Sequence, residues 1–302
     1  MKFCSICQQD HLASVACPGV SAIVIEGYRA MNPISSGAFE LHRAQENASG
    51  RTCLITVVAS DDATALKFLD QAKHAARSFN PAVAEVYDAG RLADGRSYVA
   101  WEELEGRTIR EILDNVGAPR LLESIQIVRQ AAEALHSLHA AGLTHGRVNP
   151  ESIIITRGRD ERASVRLQIP DFGSAMRRSM FDNRFALDSA LDSLRYYAPE
   201  QCGDGELGAQ ADIYSLGIVF YEMLAGRPPF DAAGSAGLIH KHRNEAPPEI
   251  KIDDFNLRML VTHALTEALQ KRPTARQASA GLFARQLRHI EQLATHTSTP
   301  PP

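Results

Sequence analysis

His145-Gly146-Arg147-Val148-Asn149-Pro150-Glu151-Ser152 is the stretch that decides how this chain is read. Arg147 stays protonated at any physiological pH and offers no acceptor, so it cannot take a proton as a general base. Downstream, short motifs follow in order. Asp171-Phe172-Gly173 comes after the alternating apolar residues Val165, Leu167 and Ile169. Ala198-Pro199-Glu200 follows Ser193-Leu194-Arg195-Tyr196-Tyr197. Beyond these lie Asp212-Ile213-Tyr214-Ser215-Leu216-Gly217, Gly226-Arg227-Pro228-Pro229-Phe230 and Lys271-Arg272-Pro273-Thr274.

Periodicity supplies the elements between the motifs. Leu54-Ile55-Thr56-Val57-Val58 is short, uncharged and β-branched, which predicts a buried strand. Leu66, Leu69, Ala72, Ala75 or Ala76 and Phe79 recur at helical spacing, and Asn80-Pro81 is expected to stop that helix. Ile125, Val128, Ala131, Leu135 and Leu138 form a second amphipathic series, with Gly142 placed to cap it. Ile213 to Leu224 is apolar on most faces, as in a helix packed on all sides.

Composition narrows the function classes. With 302 residues, 44% of them hydrophobic, the chain can bury one or two sizeable cores. A formal charge of -4 and no sustained basic run leave no nucleic-acid footprint. No apolar run reaches the roughly 18 residues of a membrane span, and the first residues do not read as a signal peptide. Of the five cysteines, Cys4, Cys7 and Cys17 lie near the start, which is no disulfide framework and predicts a reducing cytoplasm.

The ordered motifs resemble those of the protein kinase superfamily, closest to bacterial eukaryotic-like (Hanks-type) Ser/Thr kinases, from about Tyr28 to about Leu293. The resemblance implies an α+β bilobal fold, with a small, mainly antiparallel β lobe carrying one helix (28–103) and a large, mainly helical lobe (104–293). Residues 1–27 form a separate cysteine-bearing segment and 294–302 a disordered tail. His145 and Phe172 fall in the hydrophobic column that links the lobes, and Asp212 is expected to hold the backbone of the catalytic loop. Glu200 is expected to pair with Arg272.

Residue by residue, the resemblance points to lost chemistry. Arg147 stands where the family has its catalytic aspartate, Asn149 where it has a phosphate-contacting lysine, and Ser152 where it has a magnesium-holding asparagine. Thr56 and Gln71 replace the two halves of the small-lobe Lys–Glu pair, whereas Asp171 is retained. The nucleotide pocket falls among Gly37, Leu41, Leu54, Trp101 and Ile154. Leu54 and the gatekeeper Trp101 are expected to fill it, and the phosphate loop keeps Gly37 alone among its glycines. The start of the chain, Cys4-x2-Cys7-x3-His11-x5-Cys17, resembles a small zinc ribbon and is open to two readings: a structural zinc site, or a decayed ribbon with unbound thiols.

Together these substitutions lead to the expectation of a catalytically inactive scaffold or allosteric partner that binds another signalling protein, such as an active kinase or its target, with little or no binding of ATP and magnesium. In that reading Ser179 and Ser189, beside Arg177, Arg178 and Arg184, form a segment that a partner kinase could phosphorylate. The alternative is a weakly active or atypical Ser/Thr protein kinase, or a nucleotide transferase or sensor, that binds ATP through Asp171.

Overall fold

A computed structural model describes residues 2–3, 10–11, 25–35, 39–58, 63–76, 80–157, 163–168, 193–203 and 208–297, a few of them by backbone alone. Strands β1 (Lys2–Phe3) and β2 (Asp10–His11) make a short antiparallel pair. Cys4, Cys7 and Cys17, Gly37, Asp171, Phe172 and the serine-containing loop 176–192 lie outside the described residues.

Strands β3 (Tyr28–Ser35), β4 (Phe39–Glu46), β5 (Thr52–Val58), β6 (Val86–Arg91) and β7 (Ser97–Glu102) form one antiparallel sheet in the order β3-β4-β5-β7-β6. Strand alternation gives β5 two different faces. Cys53, Ile55 and Val57 pack with Ala44 and Ala100 on one side. Val58, with Leu41 and Leu54, packs with Val99, Trp101 and the helix residues Leu69 and Ala72 on the other. That helix, α1, is described over Ala63–Ala76, and Phe79 of the expected series lies outside the described residues.

Beyond the linking segment 103–106, β8 (Arg107–Thr108) runs into α2 (Ile109–Asn115) through a capping box in which Thr108 and Glu111 satisfy each other's backbone N–H. Gly106 sits where a Cβ would meet the Ile155 carbonyl oxygen at 2.4 Å, so the crossing between lobes requires glycine. Helix α3 (Leu121–Ala140) buries Ile125, Val128, Ala131 and Leu135 along one face. Strands β9 (Ile153–Arg157) and β10 (Ala163–Leu167) complete a three-stranded sheet with β8.

Helix α4 (Ala209–Ala225) is buried without interruption from Ala211 to Met223 and ends at Gly226 in the left-handed region. Helices α5 (Ser235–Asn244), α6 (Phe255–Ala268) and α7 (Ala280–Thr297) pack around it and α3, and α7 corrects the expected start of the disordered tail at 294, since the helix runs on to Thr297 and buries Ala294 in the core. The result is two lobes, one a curled antiparallel sheet with a helix and the other mainly helical, joined at residues 103–106.

One expected pairing is corrected. Glu200 meets Arg276, not Arg272: Nη1 donates to Oε1 at 2.6 Å and Nη2 to Oε2 at 2.9 Å. After α6, Pro273 opens a 3-10 turn over Pro273–Ala275, which leaves Arg272 exposed and sends Arg276 inward with its side chain fully buried.

Candidate functional site

The loop 145–152 is suspended from α4. Asp212, 1% exposed, accepts from the His145 N–H at 2.8 Å and from the Gly146 N–H at 2.7 Å. Its Oδ2 also takes a bond from His139 Nε2 at 2.8 Å. Gly146 adopts φ 75°, a conformation that opens freely to glycine and lets two successive N–H groups converge on one carboxylate. From the other side, Gln201 Nε2 donates to the Gly146 carbonyl at 2.8 Å while its Oε1 accepts from Ala198 N–H at 2.8 Å. The segment bearing Ala198-Pro199-Glu200 is thereby tied to the loop.

The His145 imidazole is fully buried, and burial holds its pKa below the ordinary histidine value despite the nearby Asp212 carboxylate. Nε2 lies 3.1 Å from the Gln168 carbonyl oxygen, and Nδ1 accepts from the Arg147 N–H at 3.3 Å. These partners fix the neutral tautomer with the proton on Nε2.

Arg147 Nη2 donates to Ser193 Oγ at 2.9 Å, linking the loop to the start of the Ser193–Tyr197 segment. Asn149 and Ser152 are spent on each other. Ser152 Oγ accepts from Asn149 N–H at 3.0 Å and donates to Asn149 O at 2.9 Å, while Asn149 Oδ1 accepts from Ser152 N–H at 2.8 Å. Both are buried, so this is a closed turn rather than a free set of ligands. Further along the same segment, Tyr196 Oη donates to Glu222 Oε2 at 2.6 Å, and Arg110 Nη2 donates to both. Burial, reinforced by the Glu222 charge, pushes the Tyr196 phenol far up and keeps it neutral.

The small-lobe wall of the cleft is different. Thr56 is 3% exposed and its hydroxyl has no hydrogen-bond partner among the described residues. Leu54 lies opposite Trp101 across β5 and β7, and Trp101, 2% exposed, joins the core with Val58, Leu69, Val86 and Leu138. Ile154 packs on Leu104 and Ala84 at the junction of the lobes. Gln71 lies on α1, its side chain outside the description. Leu41 and Leu54 on the small-lobe side and Ile154 at the junction are apolar, and Thr56 offers no cation for phosphates.

A cavity of about 1420 Å³ lies along the linking segment, lined by Arg43, Arg51, Glu85, Glu103, Arg157 and Arg166 among others. Two of its charged pairs are Arg43 with Glu103, and Arg166 with the Glu102 carboxylate at 2.6 Å. Gln168, Gln201 and Arg276 escaped the sequence reading. For Arg276 a signal existed in the spacing Lys271-x-Pro273-x-x-Arg276, which places an arginine three residues after the helix-opening proline.

A two-lobed fold with a histidine-led loop anchored on a buried helical aspartate defines a protein kinase-like molecule. The family described as "Protein kinase domain" matches residues 47–283, and the chain belongs to that family. It is similar to the serine/threonine-protein kinase pkn3 of Myxococcus xanthus, 28% identical over 275 residues, covering 88% of this chain and 50% of that protein. The probable serine/threonine-protein kinase pknA2 of Bifidobacterium longum is 30% identical over 272 residues, 86% of this chain and 35% of its own length. PknA of Mycobacterium tuberculosis is 30% identical over 285 residues, 88% and 62% respectively. The chain thus spans about half the length of the curated relatives it matches.

These relatives correct the functional expectation. Proteins aligned over nearly the whole chain carry the names of Ser/Thr protein kinases, which overturns the reading as an inactive, non-enzymatic scaffold. It also overturns the expectation that ATP and magnesium are not cofactors, because kinases transfer phosphate from that nucleotide-metal pair, while Cys4, Cys7 and Cys17 of the expected zinc segment lie outside the described residues. Among the described residues, no group of three or more His, Cys, Asp or Glu side chains is placed to hold a metal. Substitution at a family position removes one group and leaves the rest of the scaffold in place. No described helix is long and apolar enough to cross a membrane.

Proposed function

We propose that this chain is an atypical Ser/Thr protein kinase of low activity, which takes ATP with a divalent ion through Asp171 and acts on a hydroxyl of another signalling protein. Its family membership and the names of its relatives support the reaction class. The observation that carries the reading is the intact suspension of the loop: Asp212 holds His145 and Gly146, and Gln201 and Glu200–Arg276 hold the facing segment. Such a network positions substrate and phosphate, and positioning supplies most of the catalysis in phosphoryl transfer, whose transition state is loose. A strong base is therefore not essential for slow turnover. Arg147, which cannot be that base, adds positive charge beside Ser193.

In this reading the base of the nucleotide lies among Gly37, Leu41, Leu54, Trp101 and Ile154, and the ion on Asp171, in the lobes 28–103 and 104–293. The cysteine usage supports a reducing, cytoplasmic setting. The test is a titration of Trp101 fluorescence and melting temperature with ATP, with and without magnesium or manganese. A saturable, metal-dependent response that Asp171→Ala abolishes is expected. Silence in both signals at millimolar nucleotide would sink the reading.

A further inference from the structure

The segment that joins the lobes has a polar edge that is already occupied. Glu102 and Leu104 stand two residues apart, so the carbonyl of one and the N–H of the other face the same side of an extended chain. Gln168 Nε2 donates to the Glu102 carbonyl at 3.1 Å, and Gln168 Oε1 accepts from the Leu104 N–H at 3.4 Å. Chemistry fixes the orientation of the amide: the reverse flip would set a donor on a donor and an acceptor on an acceptor.

Everything around that side chain is pinned. The Gln168 N–H donates to Ser152 O at 2.9 Å, and its carbonyl accepts from His145 Nε2 at 3.1 Å. On the other side, the Glu102 N–H is bound to Glu85 O, and the Glu102 carboxylate to Arg166. Neither backbone can slide, so the edge is exposed only if the Gln168 side chain rotates away. Gln168 itself is 9% exposed, and Leu104 packs beside it on Ile154 and Ala84, an apolar floor.

A carboxamide presents one donor beside one acceptor. The amino-substituted edge of adenine presents the same pair, which is why glutamine and adenine match one another bidentately in nucleic-acid recognition. We propose that Gln168 is an internal stand-in for the base: its carboxamide caps the Glu102–Leu104 edge, adenine must displace it, and the displacement weakens nucleotide binding. This rests on the reading of the cleft as a nucleotide site and adds a residue that sets its affinity. The capped fraction lowers the apparent affinity in proportion to its population.

The test uses the full chain and three probes, adenosine, guanosine and tripolyphosphate, with dissociation constants from calorimetry. Gln168→Met keeps the length and removes both polar atoms. Adenosine is expected to bind it about tenfold more tightly than wild type, with guanosine, whose edge has the opposite order, changed much less and tripolyphosphate unchanged. Gln168→Asn, too short to span both partners, is expected to move adenosine in the same direction. Adenosine binding that is equal or weaker in the folded variants, or absent from all of them, overturns the proposal. In the wild-type chain, which needs no variant, saturation with adenosine should shift the Gln168 side-chain amide resonances; an unshifted signal overturns it too. The kinase reading fails separately, if adenosine binds as expected but no form of the chain transfers phosphate.

Discussion

Around Asp212 and Glu200, each buried charge meets donors in good geometry: two loop N–H groups and His139 on one, both arms of Arg276 on the other. On the cleft face of β5, the buried polar group is the Thr56 hydroxyl, without a partner among the described residues, and its surroundings are Leu54, Val58 and Trp101. The large lobe thus spends its polar groups on holding a loop in place, whereas the small lobe's inner wall has become packing. Under the proposed kinase reading, this contrast would keep the positioning part of phosphoryl transfer better than the part that neutralises charge, and so predicts slow rather than fast turnover.

The largest effect expected of a substitution tests the large-lobe side of this contrast. Arg276→Ala removes the partner of Glu200 and of the carbonyls of Gln210, Gln270 and Lys271, and should cost about 3–5 kcal/mol in urea denaturation, as for a broken buried pair. An equal loss from Arg272→Ala would place the pair where the sequence suggested and undo the correction.

Acid should come next, and should act on the large lobe. His145 and His242 are both buried neutral; burial holds the first below the ordinary value and takes the second down to about 3, with Lys271 nearby adding to the shift. Because the folded pKa values are depressed, the unfolded chain takes up protons first. Stability is then fully present above about pH 6.5 and falls as pH drops below it, by about 1.4 kcal/mol per pH unit for His242, with His145 acting in the same direction. Denaturation midpoints between pH 7.5 and 5 would show this, and a flat profile would contradict it.

Smaller effects belong to the small lobe. Thr56→Val removes an unsatisfied hydroxyl at nearly constant shape and should stabilise the protein by about 1 kcal/mol. A loss of stability would mean that the hydroxyl has a partner after all and that the wall is not simple packing. Smallest of all, Arg272→Ala at its exposed position should change stability by less than about 0.5 kcal/mol.

How much of this was legible follows from where each partner lies. The buried helix α4 was readable because its apolar residues occupy nearly every face, and the loop at His145 because its neighbouring motifs come in a fixed order. The Glu200 partner was misread because a 3-10 turn after Pro273 decides which arginine points inward, and turn geometry is not visible in an Arg-Pro-Thr string. Gln168 was missed because alternation says only that it shares the face opposite Val165 and Leu167, while its partners are 64 and 66 residues away. The activity was misjudged for a related reason. Residue types at Arg147, Asn149 and Ser152 declare which groups are gone, and the bonds that keep the loop in place arise from Asp212 and Gln201, far along the chain.

The account is tested most directly by following labelled γ-phosphate from ATP onto serine or threonine of a protein substrate, with manganese or magnesium, for the wild-type chain and Asp171→Ala. It predicts slow, metal-dependent incorporation that Asp171→Ala abolishes. No incorporation above background at millimolar ATP, or incorporation unchanged in Asp171→Ala, would contradict it.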